Sequence, residues 1–300
     1  MKKFFIILAA AALLVPAVSS CNKDNTPKTA PSSIKAPALA EFQTKLEFSK
    51  EEGKALIVPK DEVSITSIEL TKSGKFIVEK KPFEGKEFIE IGKYQVASKA
   101  SVGSYTLDGI GTIKIEQDGA SFKVTLSANG ETSEAVATEV SNSNPSGAFA
   151  LAFQDWKVNN TTINVSGSGI PAVSGTYQGC DIPKIAKDIK DKGISVDERI
   201  YAALDGFVIK SISLTEFNTF AISFTGKDPF VGKVSGFNAA DGTFNYKFDY
   251  YANNLVVAAD AKVALFWKTA SLGLTIEGNV NYNDDKTYKA SVSFDLSPEI

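Results

Sequence analysis

The chain has 300 residues, with 32 basic and 35 acidic side chains and a net charge of −3, so it offers no basic face for nucleic acid. It contains no histidine and only two cysteines, which excludes Ser-His-Asp, Cys-His and His-ligated metal arrangements. Hydrophobic residues make up 43% of the chain, enough to fill one large core or two ordinary ones.

Residues 1–20 read as a lipoprotein export signal. Lys2 and Lys3 form a charged start, residues 4–15 are an unbroken apolar run, and Val18-Ser19-Ser20 are the small residues read by a lipoprotein signal peptidase. The run is shorter than the ~20 apolar residues that a membrane-spanning helix needs. Cys21 is therefore the expected site of lipid (palmitate) attachment, and the mature chain is expected to sit anchored outside the cytoplasm. With Cys21 lipidated, Cys180 has no disulfide partner in an oxidising compartment and is expected to be buried and inert.

Residues 21–40 carry Pro27, Pro31 and Pro37 among Asn, Thr, Ser, Lys and Ala. Such a composition buries too little apolar surface to offset its ordering entropy, so it predicts a flexible tether. Residues 41–141 then read as an N-terminal β domain and residues 147–300 as a C-terminal one. The Ser-Asn-Ser-Asn-Pro-Ser-Gly stretch around Asn142 and Pro145 marks the boundary.

From Val63 onward, short runs alternate apolar and polar residues between turn signals, which predicts a mainly antiparallel β protein. Strict alternation over residues 64–70 puts Ile65 and Ser67 on one side and Ile68 and Leu70 on the other. Asp118-Gly119, Asn129-Gly130, Asp241-Gly242 and Asp284-Asp285 mark hairpin tips, where glycine or asparagine supplies the positive φ that matches strand twist. Two segments resemble each other. Ser67-Ile68-Glu69-Leu70-Thr71, with Phe76 and Gly92-Lys93 following, matches Ser211-Ile212-Ser213-Leu214-Thr215, with Phe220 and Gly232-Lys233 following. This self-similarity suggests a duplicated β unit.

A helical pair is expected near residues 182–204. Asp181 can cap a first helix with Ile182, Ile185, Ala186 and Ile189 on one side. Ser195 and Glu198 form a capping-box pattern for a second, with Val196, Ile200, Ala203 and Leu204 as its stripe.

Catalytic devices are hard to find. The carboxylates cluster on helix surfaces and turns, not in apolar settings that would tune them for acid–base work. No calcium-loop or phosphate-loop motif occurs. The expectation is a non-enzyme with no catalytic residue, no metal and no cofactor. The densest unusual feature is Phe244, Tyr246, Phe248 and Tyr250, aromatics at every second position. In a strand they fall on one side, either as the inner face of a sheet over a core or as the lining of a ligand site. Tyr246, Phe248 and Tyr250 are the candidate ligand-facing residues.

The order of segments, with Gly175-Thr176-Tyr177 before the helices, residues 207–214, a turn at Asn218, residues 220–224, Phe230-Val231-Gly232 and residues 244–250, resembles the lipocalin-like (calycin-like) lipoproteins of Bacteroidetes. Residues 64–126, through Gly103-Ser104-Tyr105, are similar in a looser way. The Gly-x-Trp signature of lipocalins is absent, since Trp156 follows Gln154-Asp155 and Trp267 follows Leu265-Phe266. Asn22-Lys23-Asp24-Asn25 is similar to the short charged stretches after the lipidated cysteine in such lipoproteins. The resemblance implies a barrel- or sandwich-like β fold, anchored in the outer membrane on its periplasmic or cell-surface face. Two functions fit. One is a non-catalytic binding module for a small apolar or glycan ligand. The other is a structural or protein-interaction lipoprotein without a ligand cavity.

Overall fold

The computed structural model describes residues 29–35, 43–49, 51, 54–59, 61, 63–84, 87–98, 103–141, 147–167, 170–192, 206–238, 240–252, 255–282 and 286–299. Among the described residues the protein is mainly antiparallel β. It divides into two compact units. The N-terminal unit is Ala36–Asn144 with Thr215–Phe217, and the C-terminal unit is Met1–Lys35 with Pro145–Leu214 and Asn218–Ile300.

The N-terminal unit contains β1 (Thr44–Phe48), β2 (Leu56–Val58), β3 (Val63–Leu70), β4 (Lys75–Pro82), β5 (Phe88–Ser98), β6 (Ser104–Leu107), β7 (Gly111–Asp118), β8 (Ser121–Ala128) and β9 (Glu131–Glu139). Strands β3 to β9 pair in succession, and β1 joins β9 to β3, closing an eight-stranded barrel. β2 extends the edge of β3 beyond β1, pairing Leu56 with Ile65. Asn129 (φ 53°) and Gly130 (φ 80°) make the two-residue turn between β8 and β9, as their residue types require.

The barrel is filled by its own side chains. Leu46, Ile65, Ile68, Phe76, Ile113 and Leu126 have 0% exposure and belong to one contiguous cluster. A side chain with no accessible area borders no water-sized void, so this interior is packed as small barrels are. The alternation expected over residues 64–70 is corrected here. A bulge between Ile65 and Ser67 inserts an extra residue, which brings Ile65, Ile68 and Leu70 into the same core.

The C-terminal unit opens with a short 3-10 helix (Gly147–Ala152). It continues through β10 (Asp155–Gly167), β11 (Ile170–Gln178), α1 (Ile182–Asp191), β12 (Ile209–Leu214), β13 (Thr219–Phe224), β14 (Lys227–Lys233) and β15 (Ser235–Asn238). It ends with β16 (Thr243–Ala252), β17 (Leu255–Trp267), β18 (Leu272–Tyr282) and β19 (Lys286–Pro298). The strand order is β14-β13-β12-β10-β19-β18-β17-β16-β15, with β11 also on β10, in a curled half-barrel sheet. Asp181 caps α1, accepting the Lys184 N–H at 3.0 Å, and Ile182, Ile185 and Ala186 are buried beneath it. α1 is the α-helix of the described residues, and the second expected helix, at residues 195–204, lies outside them. The resemblance lies mostly in this half, yet the closed barrel is in the other.

Part of the expected tether is docked. Ile34 is 4% exposed and belongs to the C-terminal core, with Ala30 packed against it. A single isoleucine in a polar stretch supplies an anchor that averaged composition hides. The remainder of residues 21–40 falls outside the described residues.

The internal likeness read from the sequence holds at the level of hydrogen-bond register. Leu70 pairs with Phe76 and Ile68 with Val78, while Leu214 pairs with Phe220 and Ile212 with Ile222. The bulge at Ile65/Ser67 recurs at Ile209/Ser211. Gly74 (φ 79°) and Asn218 (φ 57°) hold the same turn position. Their carbonyls accept the N–H of Tyr94 at 2.9 Å and of Val234 at 2.7 Å. At the closing strands, Val140 N–H donates to the Lys45 carbonyl at 2.8 Å and Glu299 N–H to the Asp155 carbonyl at 2.9 Å. β1 therefore corresponds to β10, and β9 to β19.

Candidate functional site

One end of the C-terminal sheet is sealed by aromatics. Trp156 and Trp267 have 0% exposure. Their indole N–H groups donate to the carbonyls of Ala152 and Ala148, each at 2.8 Å. These carbonyls belong to the 3-10 helix, whose Phe149 stacks on Trp267 with ring centroids 6.1 Å apart. The helix thus plugs this end and satisfies both buried donors.

The opposite end is where the two units diverge. In matched register, Tyr246 stands where Leu107 ends β6, Ala261 where Gly111 begins β7, and Gly278 where Ala128 ends β8. The N-terminal strands stop there. β16 instead runs on to Ala252, β17 begins at Leu255, and β18 continues to Tyr282.

The extension keeps the alternation of the core. Phe244, Val263, Ile276, Val292 and Ile163 form the last buried cross-strand row. The next row in the same alternate series is Tyr246, Ala261, Gly278, Ala290, Val165 and Val173. Phe248, Ala259, Val280 and Tyr288 follow. The intervening series is mixed, with Ala258, Val256 and Tyr251 among charged and amide residues. It pairs Lys247 with Asp260 and Lys262 with Glu277 in register. At the exposed β10–β11 ladder, Ser174 donates to Asn164 at 2.8 Å.

The core loosens toward this extension. Exposure rises along β18 from 0% at Leu272 and Leu274 to 8% at Ile276. It rises along β19 from 0% at Leu296 through 5% at Phe294 to 7% at Val292.

Among the sequence candidates, Phe244 is core, with ring contacts to Phe220 at 6.3 Å and Phe237 at 6.4 Å. Tyr246, Phe248 and Tyr250 occupy successive alternate positions of β16, opposite Ala261, Ala259 and Val257. Their side chains lie outside the described residues, as does Cys21.

Cys180 is buried. Burial pushes its thiol up to about 12, partly opposed by a hydrogen bond with Thr161, which disfavours the reactive thiolate. Beside α1, Tyr177 donates to Asp188 at 2.5 Å and Lys192 pairs with Asp188 at 2.7 Å. Burial and the Asp188 carboxylate raise the Tyr177 hydroxyl, while the bonds from Lys192 and Tyr177 hold Asp188 below the usual carboxylate range.

Sequence reasoning missed three buried carboxylates, Glu69, Asp155 and Glu216, the last facing Lys72 at 3.9 Å. Glu69 is paired with Lys45 at 3.1 Å, and Asp155 accepts from Ser213. These pairs occupy corresponding positions in the two units, Lys45 opposite Glu69 and Asp155 opposite Ser213. No local signal marks them: Glu69 between Ile68 and Leu70 looks like a solvent-facing alternate, and Asp155 follows the polar Gln154 at the start of β10. Among the described residues, no group of three or more Cys, Asp or Glu could hold a metal ion. No helix there is long and apolar enough to cross a membrane. Comparison with protein-family models, curated proteins and solved structures finds no match to this chain.

Proposed function

We propose that this protein is a non-catalytic, lipocalin-like binding module of the cell envelope, tethered to the outer membrane by lipid on Cys21, that takes a small apolar or glycan ligand on the extension of its C-terminal unit. The observation carrying this reading is the apolar series that outruns the buried core on β16 to β19. A folded chain gains nothing by adding apolar rows past its core unless something covers them. In this reading the N-terminal barrel, whose interior is filled, plays a supporting role.

That same filled interior favours a second reading, a structural or protein-interaction lipoprotein with no ligand cavity. Native mass spectrometry of the protein purified from its own membrane separates the two. The binding reading expects a small molecule to co-purify, and Tyr246→Ala with Tyr250→Ala to remove it while the melting temperature holds. Loss of stability in that variant, with no small molecule ever present, establishes the second reading.

A further inference from the structure

Resting on the lipid-anchor part of that reading, we infer that Phe83 and Phe88, at one end of the β4–β5 ladder, insert into the interfacial layer of the bilayer that holds Cys21. Phe83 follows β4 and is 84% exposed, and Phe88 opens β5 and is 44% exposed. They share an end of the ladder, where Phe88 pairs with Lys80. A phenylalanine ring carries one of the largest apolar surfaces of any side chain. Leaving it in water at a strand end gains the folded chain nothing unless another surface takes it up. The other exposed large apolar side chains of the described residues, Ile57, Val96 and Val136, stand on separate strands at 42–55% exposure. Scattered singly, they need no partner.

The ring of Phe88 is held in place. Lys80 Nζ stands over it, 5.9 Å from the ring centroid, and is itself tied to Glu90 at 2.5 Å. Residues 80–90 carry three lysines and three glutamates. That balance gives the end no Coulomb preference for an anionic or a cationic surface, so the attraction is that of the rings. Aromatic rings at the headgroup level are favourable without any net charge.

What the rings meet follows from the length of the leash. Ile34 is 4% exposed in the C-terminal core, with Ala30 packed against that core. From Cys21 to Ala30 there are nine residue steps, which reach at most about 32 Å. A unit of 100 residues is itself about 34 Å across. A body on a leash no longer than its own width cannot stand clear of the headgroups, and part of its surface meets them. The two rings offer roughly 250 Å², against about 800 Å² on each side of a stable protein interface. So small a contact suffices for a bilayer, because the lipid on Cys21 already holds the two surfaces together at high effective concentration.

The test uses the full lipidated chain, reconstituted on phosphatidylcholine vesicles with brominated acyl chains. Trp156 and Trp267 have 0% exposure and supply a constant background. Phe83→Trp places a reporter at the end of the ladder, and Val136→Trp places one at an exposed site of β9. The emission added by Phe83→Trp is expected to move to shorter wavelength and to be quenched by the brominated lipid. The emission added by Val136→Trp is expected to stay open to iodide in the water. Circular dichroism melting verifies that both variants fold.

Phe83→Trp emission open to iodide on the vesicles, or equal quenching at the two sites, overturns the insertion. Emission shielded from iodide yet untouched by brominated lipid means that a second copy of the chain covers the ring, and it overturns the insertion equally. Mass spectrometry of the purified chain reads the lipid on Cys21 separately. Its absence overturns the anchor reading and this inference with it, whereas a lipidated chain with an unquenched ring overturns the insertion alone.

Discussion

The ring of Phe76 lies against Gly92 on the neighbouring strand, so closely that a Cβ at Gly92 would sit 2.5 Å from the ring's Cζ. Phe76 is completely buried and has no free direction in which to yield. Gly92→Ala is therefore expected to cost about 1–3 kcal/mol, as overpacking does in a filled core. Urea unfolding of the full chain measures it, and Phe76→Leu added to Gly92→Ala is expected to recover part of the loss. An unchanged midpoint for the single variant would show that the barrel has slack.

The buried Lys45–Glu69 pair gives an asymmetric expectation. Lys45→Met leaves a carboxylate at 1% exposure without its cation and is expected to destabilise by about 3–5 kcal/mol. Lys45→Met with Glu69→Leu removes both charges and is expected to fall within about 1–2 kcal/mol of the parent, since well-packed apolar replacements of buried pairs are often near neutral. Equal losses in the single and double variants would show that the ion pair is not what matters there.

Tyr94 links the N-terminal barrel to alkaline pH. Its hydroxyl donates to the Thr71 carbonyl at 2.9 Å, and burial, with the neighbouring Tyr105, raises it well above its ordinary value. A group raised in the folded state gives stability that is complete below the unfolded value, about 10, and is lost as pH climbs beyond it, because the unfolded chain then binds fewer protons. The urea midpoint is expected to fall progressively as pH rises above about 10. Tyr94→Phe should flatten this fall while costing about 1 kcal/mol at neutral pH for the lost hydrogen bond. A slope unaltered by Tyr94→Phe would assign the alkaline loss to other groups.

Cys180 is expected to resist alkylation by iodoacetamide at pH 8 in the folded protein and to react in urea, since burial pushes the thiol up to about 12 and the thiolate is the reactive form. Mass spectrometry of the tryptic peptide reads the outcome. Rapid labelling of the native chain would mean that the region around β11 and α1 opens readily.

Cys21→Ser is expected to abolish incorporation of radiolabelled palmitate and to release the protein from the membrane fraction. Label retained in that variant would overturn the lipid-anchor reading.

Much of the strand pattern was legible because its causes are local. Asn129-Gly130 and Asp241-Gly242 demand positive φ at Gly130 and Gly242, and few other residue types meet that demand. Asp181 and the apolar spacing of Ile182, Ile185 and Ala186 place α1 for the same kind of reason. The repeat was legible too, because Leu70–Phe76 and Leu214–Phe220 each lie across one short turn, where spacing along the chain sets the register.

What the sequence by itself determined is which alternates are apolar, where the chain turns and which segments repeat. Only the tertiary structure decided which strand edges meet. That β1 pairs with both β3 and β9, that Ile34 enters the C-terminal core, and that Lys45 and Glu69 share a buried position all depend on partners far away in sequence. A period of two states that a strand has two sides and names the apolar one. It carries no information about the neighbour on either edge, because backbone N–H and C=O groups are the same in every residue but proline, and the choice is made by how the side chains of distant strands pack.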